Sequence, residues 1–127
     1  MGNTTAAIEW LSCALKDLEE AELLDKNDFY TDKIGFSLQQ ACEKCLKAVL
    51  AYNNQKITKV HDLVELLAQA DTVLSFDEYV ETMTKLNGFY ISSRYPMPII
   101  FSPSREQTKL YILKTQELYT TISNLCS

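Results

Sequence analysis

Four groups of side chains in this chain have types and spacings that could do chemistry. Gln39, Gln40, Glu43, Lys44 and Lys47 interrupt an otherwise apolar stretch, Phe36–Leu50 (FSLQQACEKCLKAVL). Placed on a helical wheel, Gln40, Glu43, Lys44 and Lys47 form one polar sector, and Gln39 stands at its boundary with Leu46 and Leu50. Boundary polar groups that become buried need partners, because an unsatisfied one costs about 1–3 kcal/mol. Gln39 and Glu43 are therefore expected to be engaged. Cys42 and Cys45 have the C-x-x-C spacing of a metal or redox pair, but zinc needs two further ligands, and only Cys13, Cys126 and His61 remain among the Cys and His residues. Both thiols fall in the middle of the apolar arc, where cysteine behaves as a small apolar residue. His61, the only histidine, is followed by Asp62 and is expected to open a short helix and pack locally. Ser-His-Asp or Cys-His catalysis would have to use this one imidazole, and no pattern supplies its nucleophile. Arg94-Tyr95-Pro96 places a guanidinium one turn beyond Tyr90, at the end of an apolar stripe. Two readings stand for it. One is a cation favourable with a helix C-terminus by a few tenths of a kcal/mol. The other is a fork for phosphate or carboxylate beside an aromatic ring.

These groups need helices to position them. Ala7, Ile8, Leu11, Ala14, Leu15, Leu18 and Ala21 recur at helical spacing after the cap residues Asn3, Thr4 and Thr5, which predicts a helix to about Asp25, with Trp10 at the edge of its apolar face. The central stretch reads as a helix over Thr31–Asn53, with Thr31 as its cap. Its apolar arc spans roughly 200°, wider than the ~100° stripe of an ordinary surface helix. It is expected to be packed on by several other helices and to reach a dimer contact near Gln39. Leu63, Leu66 and Leu67 predict a short helix over Val60–Ala70. Ser75-Phe-Asp-Glu78 has the form of a capping box for a fourth helix with Tyr79, Met83, Leu86 and Tyr90 on one face. Pro96, Pro98 and Pro103 keep Tyr95–Ser102 extended. A fifth helix carries Leu110, Leu113, Leu118, Ile122 and Leu125, starting either from Ser102-Pro103 or from a Ser104…Gln107 capping box. Short connections between long helices predict a single all-α domain over 1–127, an up-and-down bundle of about five helices.

Composition sets the outer bounds. A chain of 127 residues can bury a core without staples, and three glycines and three prolines favour long helices over a turn-rich β fold. A net charge of −5 without a Lys/Arg cluster makes a poor general binder of nucleic-acid backbone, although a local RNA site is compatible with it. No apolar run approaches a membrane span, and the N-terminus MGNTTAAIEW lacks a basic region followed by an apolar core. It resembles a myristoylation site only loosely. Four cysteines inside apolar patterns point to reduced thiols in a cytoplasm.

Taken as a set, the motifs resemble a known family. Gln39-Gln40-Ala41-Cys42-Glu43-Lys44-Cys45-Leu46-Lys47-Ala48 resembles the QQAAEKALKA segment of HEPN-domain proteins, His61-Asp62-Leu63 their T-H-D-L segment, and Ser93-Arg94-Tyr95-Pro96 their R-Y-P segment. Trp10-Leu11…Ala14…Asp17-Leu18…Ala21 fits the family's opening helix. The resemblance spans nearly the whole chain. It implies a helical bundle that dimerises and a partner of the nucleotidyltransferase fold, often within a toxin–antitoxin-like two-gene module. It also implies, in many members, a metal-independent RNase in which an Arg is followed four to six positions later by His. Such a pair activates a ribose 2′-hydroxyl and stabilises phosphorane charge. Here Tyr95, Pro96, Met97, Pro98, Ile99, Ile100 and Phe101 follow Arg94, so that histidine is missing, and Phe101 stands where the toxin subgroup carries its modifiable Tyr. The expectation is a non-catalytic homodimeric module without cofactor or metal. It would bind a nucleotide, RNA or a nucleotidyltransferase-fold partner through Gln39, Gln40, Glu43, Lys47, Arg94 and Tyr95. An RNase using Arg94 with an atypical base and a ligand-free dimeric scaffold are the alternatives.

Overall fold

Long proline-free runs of helix-favouring residues carry the chain through five α-helices: α1 (Thr4–Lys26), α2 (Thr31–Tyr52), α3 (Leu63–Ala70), α4 (Val80–Arg94) and α5 (Arg105–Leu125). The structure is a computed structural model that describes residues 3–57, 59–70, 77–94 and 102–127, with the side chains of residues 90–94 outside that description. Among the described residues there is no strand, and no helix is long and apolar enough to cross a membrane.

The helices stand as an up-and-down bundle around α2, which touches each of the other four. From Ile34 to Ala51 only Phe36, Gln40 and Lys44 keep more than a trace of exposure. The sector expected to be polar is therefore mostly interior too. Glu43 and Lys47 are each 5% exposed, and Gln39 is fully buried. The apolar arc of α2 is covered within one chain, so it leaves no surface for the dimer contact expected from its width, and Gln39 does not lie at such a surface. On α1, the small residues Ala7, Ala14 and Ala21 alternate with Leu11 and Leu18 along the buried stripe, where alanine lets two helix backbones approach closely. Gly35 has the same effect against α4: a Cβ built there would lie 2.7 Å from the buried ring of Phe89.

Helix ends follow local chemistry, with several departures from the expected boundaries. Asn3 caps α1, its Oδ1 accepting from the Ala6 N–H at 3.1 Å, and its own N–H donates to the Tyr52 carbonyl at 2.9 Å, joining the start of α1 to the end of α2. Tyr30, not Thr31, occupies the cap position of α2, and no side chain caps it. α3 starts at Leu63 because Asp62 Oδ1 accepts from the N–H groups of Val64 and Glu65, which leaves Val60 and His61 outside the helix. A 3₁₀ turn, Asp77–Tyr79, leads into α4. Residues 71–76, with Ser75 and Phe76 of the expected capping box, lie outside the described residues. Of the two starts weighed for α5, the Ser104…Gln107 capping box is the one formed.

The stripe that α5 buries is Tyr111, Thr115, Leu118 and Ile122, with Ile112 beside it. Leu110 and Leu113, expected to face the core, are each 51% exposed, because they stand to the side and back of that stripe on the wheel. In α4, Tyr79, Met83 and Leu86 are buried as expected, and Phe89 joins them; the side chain of Tyr90 lies outside the described residues. The far ends of α1 and α5 are clasped by Asp25. Its carboxylate takes Arg105 Nη1 at 3.0 Å and Lys109 Nζ at 3.1 Å, and Arg105 Nη2 also donates to the Phe29 carbonyl at 2.7 Å.

Candidate functional site

The polar residues of α2 meet the chain entering α3 and build one connected cluster. Glu43 is its centre, with a side chain 7% exposed. Lys47, one turn further along α2, sets its Nζ 3.1 Å from Oε2. The Nδ1 of His61 lies 3.1 Å from both carboxylate oxygens. A carboxylate only accepts, so the proton of the imidazole is assigned to Nδ1. Gln39 Nε2 donates to the main-chain carbonyl of His61 at 3.1 Å and reaches Glu43 Oε1 at 3.4 Å, while Gln40 Nε2 donates to Gln39 Oε1 at 2.7 Å. His61 is thus held at its ring and at its backbone, yet its side chain keeps 44% of its surface exposed.

The next elements fix this arrangement. The amide of Leu63 donates to Asn87 Oδ1 at 2.9 Å, so α4 holds the first turn of α3 just beyond His61 and Asp62. On the opposite side, Lys47 Nζ stands over Trp10 of α1, 5.7 Å from the ring centroid, within the range of a cation–π contact. The buried ammonium therefore has the Glu43 carboxylate and the Trp10 ring as neighbours.

Of the residues selected from sequence, Gln39, Gln40, Glu43 and Lys47 are brought together, with Gln39 and Glu43 engaged as their boundary position required. Arg94 ends the backbone of α4, seven residues beyond Asn87, and its side chain and Tyr95 lie outside the described residues. Glu43 is also the internal carboxylate that Arg94 could pair with, but that contact lies outside the described residues. Among the described residues Lys47, His61 and Gln39 meet the Glu43 carboxylate, because Lys47 is one turn away on the same helix and the residue before Asp62 passes directly over Glu43. Sequence alone predicts only local packing for His61. The signals that could have placed it here are the unmet requirement of Glu43 for a partner and the capping residue Asp62 immediately after it.

The thiols are packing groups. Cys42 and Cys45 are fully buried, and Cys42 Sγ lies 3.5 Å from Thr115 Oγ1. Burial pushes the Cys42 thiol up to about 12. Burial first, then the neighbouring Cys42, Asp17 and Cys126, carries Cys45 well above its ordinary value. A thiol held protonated is neither a nucleophile nor a metal ligand at neutral pH. Among the described residues no group of three or more His, Cys, Asp or Glu side chains is placed to hold a metal ion. Openings at the described surface include the following two. An open depression of about 280 Å³ lies beside α1, with Glu9, Trp10 and Cys13 as its described lining. A cleft of about 410 Å³ lies between α4 and α5, lined by Glu78, Glu81, Lys85, Tyr111 and Lys114 among others.

The family and the fold are shared with known proteins. Residues 7–125 match the family model described as HEPN domain. The fold is similar to that of TT1696 from Thermus thermophilus, at 24% identity and a TM-score of 0.79 over 93% of this chain and 96% of that one. It is also similar to ST0689, described as an archaeal HEPN homologue, at 20% identity and a TM-score of 0.76 over 95% of this chain and 98% of that one. No curated protein matches the sequence.

Proposed function

The chain belongs to the HEPN domain family, and from that membership we propose that it is a non-catalytic HEPN module that binds a nucleotide, a nucleotidyltransferase-fold partner protein, or both. One observation carries the reading. The stretch from Tyr95 to Phe101 after Arg94 contains no histidine, and the chain's one histidine stands on another element with its Nδ1 against the buried Glu43 carboxylate. The cluster of Gln39, Gln40, Glu43, Lys47 and His61 supports a recognition role. It is a satisfied polar assembly inside an apolar bundle, and such assemblies hold their exposed members in one geometry. Arg94 and Tyr95 extend the site in this reading, with Arg94 as the cation for a phosphate. The module works in the cytoplasm as a homodimer, in a two-gene toxin–antitoxin-like unit. Its dimer contact uses a surface other than the arc of α2.

The same Glu43–His61 contact favours a second reading. A carboxylate on one imidazole nitrogen is how general bases are oriented, so a metal-independent RNase with Arg94 and His61 as the atypical pair is the alternative. The experiment titrates ATP into the purified protein by calorimetry and incubates the protein with a fluorescent single-stranded RNA in EDTA. Binding without cleavage, weakened in Arg94→Ala, supports the module. RNA cleavage by the parent that is lost in both Arg94→Ala and His61→Gln transfers the conclusion to the nuclease.

A further inference from the structure

We propose that the cleft between α4 and α5 binds a small aliphatic zwitterion, a free amino acid or a dipeptide, with the buried hydroxyls of Tyr111 and Thr82 as its inner contacts. The walls are two facing helical stripes. Glu78 of the 3₁₀ turn and Glu81, Thr82 and Lys85 of α4 form one. Gln107, Leu110, Tyr111 and Lys114 of α5 form the other. Within each stripe the residues recur three or four apart, which keeps them on one face. The two helices make little direct contact, so the groove between them stays open. At about 410 Å³ the cleft falls within the range of small-molecule sites, about 300–1,000 Å³. It shares no residue with the Glu43–His61 cluster.

Two buried hydroxyls point to a ligand. Tyr111 is 7% exposed and Thr82 8%, and among the described residues neither hydroxyl has a hydrogen-bond partner. Thr84, Thr108 and Thr115 each return theirs to the main-chain carbonyl one turn back, at 2.8 Å; Thr82 does not. A buried hydroxyl left unpaired is costly, and both of these line the same cleft. Burial first, and then the Glu81 charge, raise the Tyr111 phenol above its ordinary value. The phenol therefore stays protonated and stands on the Glu81 side of its helix. A hydroxyl both donates and accepts, so these two can serve either end of a zwitterion. The charges agree. Glu78 and Glu81 bring two carboxylates, Lys85 and Lys114 two ammoniums, and among the described residues no ion pair joins them. Lys114 reaches Glu117 instead, at 3.5 Å, and Glu81 and Lys85 do not pair although one turn separates them on α4. Opposite charges held apart across one cleft complement a molecule that carries both. Leu110, 51% exposed, offers the apolar contact for an aliphatic side chain. A nucleotide fits poorly here: two carboxylates repel its phosphates, and the Tyr111 ring is too buried to stack on.

Calorimetric titrations of the full chain with L-leucine, L-valine and alanyl-leucine test the site. Isocaproate, which lacks the ammonium, and isoamylamine, which lacks the carboxylate, are the controls. The expected result is saturable heat with at least one zwitterion and none with either control. A response to L-leucine or L-valine marks a free amino acid as the ligand, and a response to alanyl-leucine alone marks a dipeptide. Tyr111→Phe removes only the hydroxyl and should weaken binding about 10-fold or more, the worth of one hydrogen bond to a charged group. Without ligand it should melt no lower than the parent, since the hydroxyl gives up no partner in the chain. Lys85→Met, at an exposed position, tests the charge separately and should weaken binding at least as much. No heat with any of the three zwitterions, equal binding of isocaproate or isoamylamine, or unchanged affinity in both variants overturns the site. A ligand-free Tyr111→Phe protein that melts well below the parent overturns it too, because the hydroxyl would then be engaged within the chain.

Discussion

Replacing Glu43 by Leu keeps the volume of the side chain and removes the carboxylate on which three donors converge. Lys47, only 5% exposed, would be left as a buried ammonium whose remaining neighbour is the Trp10 ring, and the His61 Nδ1–H would lose its acceptor. Removing one partner of a buried ion pair costs about 3–5 kcal/mol, because the other charge stays desolvated. An unfolding entropy of about 2.1 cal/mol/K per residue gives roughly 0.27 kcal/mol/K for this 127-residue chain, so Tm should fall by about 11–19 °C. The loss should come from the orphaned charge and not from the missing ion pair as such. The double change Glu43→Leu with Lys47→Met, which leaves no charge behind, should therefore recover most of the stability. Calorimetric melts of the parent, both single variants and the double variant make a complete cycle. A Glu43→Leu protein within about 1 kcal/mol of the parent, or a double variant no more stable than the sum of its single changes, would refute the argument that this cluster is a buried, mutually dependent unit.

Other consequences follow from named contacts. Gly35→Ala should destabilise by about 1–3 kcal/mol, since its Cβ would press on the buried Phe89 ring, and adding Phe89→Leu should restore part of that in denaturant melts. For Asp25, burial acts to raise the carboxyl, but the hydrogen bonds and charges of Lys109 and Arg105 outweigh it and hold the group below its ordinary value. A depressed carboxyl stabilises above the usual carboxylate range and loses that contribution as pH falls through its lowered pKa. Asp25→Asn should thus melt below the parent at pH 7, and the gap should begin to narrow below about pH 4 and close as pH falls through the lowered pKa of Asp25. At pH 8 iodoacetamide should modify Cys13 rapidly and leave Cys42 and Cys45 untouched in the folded protein, as mass spectrometry of the timed reaction would show. Cys45→Ser should cost about 1–3 kcal/mol in thermal melts, because a hydroxyl takes the place of a thiol in an apolar site.

The sequence by itself determined the all-α bundle, the central place of α2 and the burial of its two thiols, because apolar spacing and the scarcity of Gly and Pro are local properties of the chain. It also marked Gln39 and Glu43 as groups that would need partners. It could not say which partners, since helical periodicity defines the direction of a side chain and not what stands opposite. The donors to Glu43 come from three places: Lys47 one turn along, Gln39 one turn back, and His61 from the entry to α3 eighteen residues away in sequence. Only the packing of α3 against α2, with its first turn held by Asn87 of α4, brings that imidazole over the carboxylate. The same limit explains Leu110 and Leu113. Both have the residue type of a core, but α5 turns the Tyr111–Thr115–Leu118–Ile122 stripe inward, since one helix can bury only the face its neighbours leave room for, and that room exists only after α1 and α2 have packed.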